Sequence, residues 1–265
     1  MGILNVTPDS FADGGRYLLR DQALQHALDM VAAGADYIDV GGESTRPGAT
    51  PISIQQELDR VIPVIELLAD AVDVTISIDT SQPQVMQEAV KAGAGMINDV
   101  RALQRPGALA VAATCQVPVC LMHLVGEPSS MQNDPHYDDV VVAVMVFLQA
   151  RIDAALAAGI EVNHLIVDPG FGFGKTQTHN LQMVAQLNTL QQLGCPILLG
   201  ASRKSTLGVL TGKAVEDRLA ASLAMVAWAL WQQVAIIRVH DVAATVDFIK
   251  VFNAVAQHQT IVHTH

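Results

Sequence analysis

The sequence predicts an α/β protein built as a single (β/α)8 barrel, and two observations carry that prediction. Short apolar runs alternate with Ala-rich stretches of helical period along the chain, and eight such units in 265 residues match the size of one barrel. The runs are also continuously apolar rather than alternating. Parallel strands covered on both faces read this way, with the intervening helices supplying the crossovers. A doubly wound open sheet is the alternative, but no strand followed by a G-x-G-x-x-G turn stands near the start. No linker interrupts the pattern, so residues 1–265 are expected to form one domain.

In order, the strand candidates are Gly2 to Val6, Tyr37 to Val40, Thr75 to Ile78, Met96 to Asn98, Val117 to Met122, Leu165 to Val167, Pro196 to Leu199 and Ala235 to Val239. Two loops rich in Gly, Pro, Ser and Asp, Thr7 to Arg20 and Gly42 to Ser53, follow the first two strands and are expected to close over a substrate. Glu57, Asp59, Arg60 and Glu66 are expected on the exposed face of a helix, and Val140 to Leu148 on the buried side of another. The most apolar stretch, Leu219 to Trp231, is 13 residues long and is followed by Gln232 and Gln233. A spanning helix needs about 20 apolar residues, so this one is expected to be buried in a globular protein.

A net charge of −11 argues against nucleic acid or an anionic membrane as partner, because both select basic surfaces. An anionic substrate must therefore meet a local cationic site. Cys115, Cys120 and Cys195 lie in apolar surroundings without C-x-x-C spacing, which indicates core thiols rather than disulfides or zinc ligands. No basic segment followed by an apolar run opens the sequence, so a cytoplasmic location is expected.

Nearly every strand candidate ends in a polar residue: Asn5, Asp39, Asp79, Asn98, His123, Asp168, Ser202 with Lys204, and Arg238 with His240. In a barrel all eight ends face one mouth, where active sites of this fold lie. Any one Asp or Asn could instead cap the helix that follows it. Eight together are hard to explain by capping. Asp79, Asn98 and Asp168 offer acceptors to the N–H edge of a flat heterocycle, and Lys204, Arg238, His240 and Arg46 offer cationic or donor groups. Arg238 could also stack on a ring. The combination suits a planar, nitrogen-rich substrate with an anionic leaving group. Gly170 to Thr176 superficially resembles a phosphate-binding P-loop, but Pro169 stands where that motif needs glycine.

The motifs become specific when taken together. They are Gly2-Ile3-Leu4-Asn5-Val6-Thr7-Pro8-Asp9-Ser10-Phe11, Asp39-Val40-Gly41-Gly42-Glu43-Ser44-Thr45-Arg46-Pro47-Gly48, Ser77-Ile78-Asp79-Thr80, Ile97-Asn98-Asp99, Asp168-Pro169-Gly170-Phe171-Gly172-Phe173-Gly174-Lys175, Ser202-Arg203-Lys204-Ser205 and Arg238-Val239-His240-Asp241. In order and spacing this set resembles the dihydropteroate synthase family over practically the whole chain. Members of that family usually carry a short segment before the first strand, which here starts at Met1, so the bottom of the barrel is expected to be less well plugged.

The resemblance implies a role for each matching position. Asn5 looks like the magnesium ligand, and Asp79, Asn98, Asp168 and Lys204 look like the pterin contacts. Arg238 would stack on the pterin and, with His240 and Asn5, face the diphosphate; Lys204, Arg238 and His240 are the expected catalytic group. Thr45 resembles the residue that contacts the diphosphate substrate from the second loop. Phe11, Arg46, Pro47, Phe173 and Ser202 match positions that shape the para-aminobenzoate site, and Met122 and Phe173 would wall the pterin slot. The implied reaction displaces diphosphate from 6-hydroxymethyl-7,8-dihydropterin diphosphate by para-aminobenzoate to give 7,8-dihydropteroate. A homodimer is implied as well. A pterin-binding methyltransferase and a non-catalytic pterin-binding homologue are the rival readings; the former has no need of the Asn5, Thr45, Arg46 and His240 set.

Overall fold

The computed structural model describes residues 1–7, 16–44, 51–126, 131 and 135–258. Eight parallel strands alternate with helices: β1 (Gly2–Asn5), α1 (Arg16–Ala32), β2 (Tyr37–Gly41), α2 (Ile54–Ala71), β3 (Thr75–Asp79), α3 (Pro83–Lys91), β4 (Met96–Asp99), α4 (Ala108–Cys115), β5 (Val119–Met122), α5 (Val140–Ala157), β6 (Leu165–Asp168), α6 (Gln177–Ala185), β7 (Leu198–Leu199), α7 (Ser205–Thr211), α8 (Leu219–Trp231), β8 (Ile236–Ile237) and α9 (Val242–Ala256). Strands β1 to β6 pair in sequence order, and β7 pairs with β8. Parallel bridges between Val167 and Ile197 and between Gly2 and Val239 join the two sheets at both edges, closing the barrel. All eight strands lie within one or two residues of the ranges expected. The short β7 and β8 form where Val167 and Ile3 donate their N–H groups to Pro196 and Val239 across the seams.

Closure explains why the strands read as unbroken apolar runs. Successive side chains point to opposite faces. Leu4, Ile38, Val40, Ile78, Ile97, Leu121, Val167 and Leu199 face outward into the layer between strands and helices. The alternate positions face the barrel axis, where Met1, Met96, Cys120, Ile166 and Leu198 pack together with Tyr37 and Ile236. The Met1 ammonium donates to the Ile237 carbonyl at 3.0 Å beside this layer. Two residues further along the same inward rows stand Asp39, Asn98, Met122, Asp168 and Arg238. The period of two that fills the core therefore also aims polar groups into the mouth.

Three expectations about helices need correction. Glu57 does not lie on an exposed face: it is buried, at 2% exposure, on the same stripe of α2 as Val61, Val64, Ile65 and Leu68. The run Val140 to Leu148 is apolar all round; Val140, Val141, Val144 and Leu148 are buried, but Val142 and Val146 are exposed. Helix α5 is long and apolar enough to cross a membrane by composition alone, yet here it is an outer helix packed against β5 and α6. Helix α8 buries Ser222, Val226 and Ala229 but exposes Leu219, Trp228 and Trp231, so only one of its faces is covered. The first loop also ends earlier than expected, since α1 begins at Arg16.

Candidate active site

The strand ends bring together most of the polar residues singled out from the sequence. Among the described helices, the ring residues do not act as caps. Side-chain caps come from Ser53, Asp139 and Thr176, while Lys204 occupies the position before α7 without capping it. The ring side chains bond instead to one another and to the mouth loops.

At the centre is Arg238, following β8. Its Nε donates to Asp39 Oδ2 at 2.5 Å and its Nη2 donates to Asp79 Oδ2 at 2.8 Å. Asn98 Nδ2 donates to the same Asp39 oxygen at 3.1 Å. Burial opposes the guanidinium's charge, but the Asp39 and Asp79 carboxylates outweigh it and hold Arg238 above its ordinary range. Burial drives Asp79 upward, with Arg238 pulling against it. This arrangement fixes the guanidinium across the barrel mouth. Removing one partner of a buried ion pair of this kind costs about 3–5 kcal/mol, because the other charge is left buried without compensation.

Asp168 ends β6 and is almost fully buried. Its Oδ1 accepts the Gly170 N–H at 2.7 Å. Burial pushes its carboxyl up to about 6, against the opposing effects of that hydrogen bond and of Lys204 and Lys175. Lys204 lies with Nζ 4.1 Å from the centre of the Phe173 ring, a cation–π contact. Phe173 packs with Met122, Val100, Leu124 and Met131, giving the mouth an apolar wall beside the acceptors. Met122 and Phe173 thus belong to one buried cluster.

His240 follows β8 and is held by Ser202, whose Oγ accepts the His240 backbone N–H at 3.2 Å and lies 3.0 Å from Nδ1. Burial first, then the nearby Arg238 and Arg203 charges, lower the imidazole to about 4. That shift favours the neutral imidazole at pH 7. Asn5 ends β1 beside Gly41, where a side chain would meet both Asn5 Oδ1 and the Asp79 side chain at 3.6 Å. Thr45, Arg46, Pro47 and Phe11 lie outside the described residues.

The structure adds residues to which sequence reasoning gave no role. Asp39, read only as one strand end among eight, is the main anchor of Arg238. Lys175, dismissed with the P-loop comparison, is buried in the mouth wall and bonds to His123. Its signal was available: a lysine directly after a glycine-rich strand-end loop. Arg238, Lys175 and Lys204 thus bring cationic groups to the mouth beside Asp39, Asp79 and Asp168, in a chain of net charge −11; burial lowers Lys175 to about 7.

Comparison with known proteins decides among enzymes that this barrel could support. The family model described as pterin binding enzyme matches residues 1–240. The chain is 48% identical over 256 residues to a dihydropteroate synthase of Haemophilus influenzae, covering 97% of this chain and 93% of the relative. It is 50% identical over 254 residues to that of Escherichia coli K12, covering 96% and 90%. This chain is a member of the dihydropteroate synthase family. Solved members share its architecture. A Yersinia pestis dihydropteroate synthase with a sulfonamide drug complex aligns with a TM-score of 0.93 at 51% identity, covering 97% of this chain and 94% of that one. Xanthomonas albilineans dihydropteroate synthase aligns at 0.92 with 4-aminobenzoic acid bound, at 51% identity and 98% and 93% coverage. In complex with 7,8-dihydropteroate it aligns at 0.89, with 48% identity and coverage of 98% and 94%.

Proposed function

We propose that this mouth performs the dihydropteroate synthase reaction with the pterin seated on Asp79, Asn98 and Asp168, between Arg238 and the Met122 and Phe173 wall. The observation that carries this reading is the Asp39–Arg238–Asp79 array. It holds a flat cation between two strand-end carboxylates, and the Met122 and Phe173 cluster lies at the end of neighbouring strands. A pterin offers both features in return, a π-face and an N–H edge.

The chemistry is departure of a leaving group. The bond between the pterin methylene carbon and the diphosphate oxygen breaks, the electron pair leaving with diphosphate. The aniline lone pair of para-aminobenzoate forms the new carbon–nitrogen bond, and its proton is lost to solvent. Arg238 and Lys204 stabilise the separating negative charge, and neutral His240, oriented by Ser202, donates a hydrogen bond. The amine is already unprotonated at neutral pH, so it needs positioning more than activation. Phe11, Thr45, Arg46 and Pro47 on the two mouth loops, with Phe173 and Ser202, would complete its pocket and the diphosphate contacts.

Magnesium fits the donor set in a limited way. Among the described residues no group of three His, Cys, Asp or Glu could hold a metal ion. Asn5 offers one neutral oxygen next to the space left by Gly41. Such a site suits an ion held mainly by substrate phosphate oxygens and water, with Asn5 as a protein ligand. When bound, the ion would neutralise diphosphate charge. Turnover is accordingly expected to disappear in excess chelator and return with added magnesium. Full turnover in chelator would remove the metal role from Asn5.

We propose that the enzyme is a homodimer. Helices α7 and α8 pack together and expose Val209, Leu210, Leu219, Trp228 and Trp231, more large apolar surface than helices facing only water need. Sedimentation equilibrium is expected to give twice the chain mass; a mass of one chain would contradict the dimer.

A further inference from the structure

Lys175 lies at the end of the glycine-rich loop that follows β6, is 3% exposed, and points back under that loop. Its Nζ is 2.9 Å from His123 Nδ1, 3.0 Å from the Gly170 carbonyl and 3.1 Å from the Phe173 carbonyl. An ammonium has three protons to donate, and three acceptors surround it. With Lys175 protonated, His123 Nδ1 is the accepting nitrogen and the ring carries its proton on Nε2; burial lowers Lys175 to about 7, and the Asp168 carboxylate pulls it back up. Burial and the Lys175 charge lower His123 to about 3, in keeping with that tautomer.

The loop is held against β5 at a distance only glycine permits. Gly170 has φ +68°, and a side chain there would come within 2.0 Å of the His123 carbonyl oxygen. From this tethered backbone, two mouth groups receive their positions. The Gly170 N–H fixes Asp168 Oδ1, and Phe173 places its ring beneath Lys204. Lys175 bonds to the backbone that carries both groups, and its charge also acts on Asp168 across the loop.

We infer that Lys175 is a positioning residue for the pterin pocket: its ammonium pins the Gly170–Phe173 backbone to the end of β5, so that Asp168 is held in binding geometry before the substrate arrives. The inference rests on the proposed contact between Asp168 and the pterin, and the experiment separates the two. The dissociation constant of the pterin diphosphate, with magnesium present and para-aminobenzoate absent, is measured at one fixed pH for the wild type, Asp168→Asn, Lys175→Met and the double variant.

A positioning role predicts that Lys175→Met weakens binding about tenfold or more in the wild-type background. In the Asp168→Asn background it should weaken binding by less than about threefold, because groups acting through one another are not additive. A purely structural lysine predicts equal losses in both backgrounds, and equal losses overturn the inference, as does an unchanged dissociation constant for Lys175→Met. Should Asp168→Asn alone leave binding unchanged, the pterin assignment of Asp168 fails, and the inference with it; loss in Asp168→Asn without loss in Lys175→Met sinks the inference alone. If Lys175→Met is unfolded at the assay temperature, Lys175→Gln, which fills the cage but has two amide protons for three acceptors and no charge, is put through the same cycle under the same criteria.

Discussion

Asp168 shows how one residue's burial sets both its cost and its use. Its carboxyl is raised to about 6 chiefly by burial, so the ionised form at neutral pH is held in the fold at some expense. The sign follows directly: a carboxyl with a raised folded pKa favours the native state most when protonated, and that contribution is lost as pH rises through about 6. Pterin recognition runs the other way, since the ionised carboxylate is the better acceptor. Asp168→Asn turns one acceptor into a donor facing a donor, and sites built to hydrogen-bond a substrate reject a mismatch by 10² to about 10⁴. kcat/KM for the pterin diphosphate should fall at least about a hundredfold, and the thermal midpoint at neutral pH should stay level or rise. The acid-side decline in pterin affinity through about pH 6 should lose the step due to Asp168 in this variant. Near-normal kcat/KM would remove Asp168 from the site. At this scale the sequence was informative wherever a residue ended a strand, because the period of two dictates the direction in which such a residue points. Lys175 was obscure because its direction depends on the left-handed turn at Gly170 and on the approach of a second strand.

Helix α2 shows where element-level reading succeeds and where composition misleads. Glu57 sits among Asp59, Arg60 and Glu66, and that run of charge suggests a solvated face. Its phase is that of the buried stripe, four residues before Val61 and eight before Ile65, and helical periodicity outranks local composition. The burial is functional in position: Glu57 Oε1 accepts from Thr80 at 2.6 Å, just beyond Asp79, and Arg60 Nη1 donates to the Gly42 carbonyl at 2.8 Å. Helix α2 thus braces the stem of the second mouth loop and the end of β3 together. Burial raises Glu57 to about 7, opposed by the Thr80 hydrogen bond. Its stabilising contribution is fully present below the ordinary glutamate range and is lost as pH rises through about 7. Glu57→Gln keeps an acceptor for Thr80 and removes the ionisation. The variant should match the wild type in thermal midpoint below the ordinary glutamate range, near pH ~3.5, and exceed it increasingly up to pH ~8. A wild-type advantage that grows with pH would show that Glu57 is stabilised as the anion instead.

For the molecule as a whole, eight strands and their order were legible because most strand residues are buried on both faces and the helices between them are regular. What the pattern did not carry was the seam. Strands β7 and β8 are two residues each, and closure depends on the bridges from Val167 and Gly2 rather than on long apolar runs. Nor did apolar composition reveal which side of α8 is uncovered, since its Ala and Leu positions are apolar all round. The closed barrel matters to function because it forces groups distant in sequence, such as Asp39 and Arg238, into one hydrogen-bonded array. That array has a defined task only if diphosphate departure is coupled to capture by the second substrate. The most direct measurement is steady-state release of diphosphate, with pterin diphosphate and para-aminobenzoate each omitted in turn and 7,8-dihydropteroate measured alongside. Sustained release only when both are present, matched one for one by 7,8-dihydropteroate, is the predicted result; no release with both, or sustained release unaccompanied by dihydropteroate, would contradict the account.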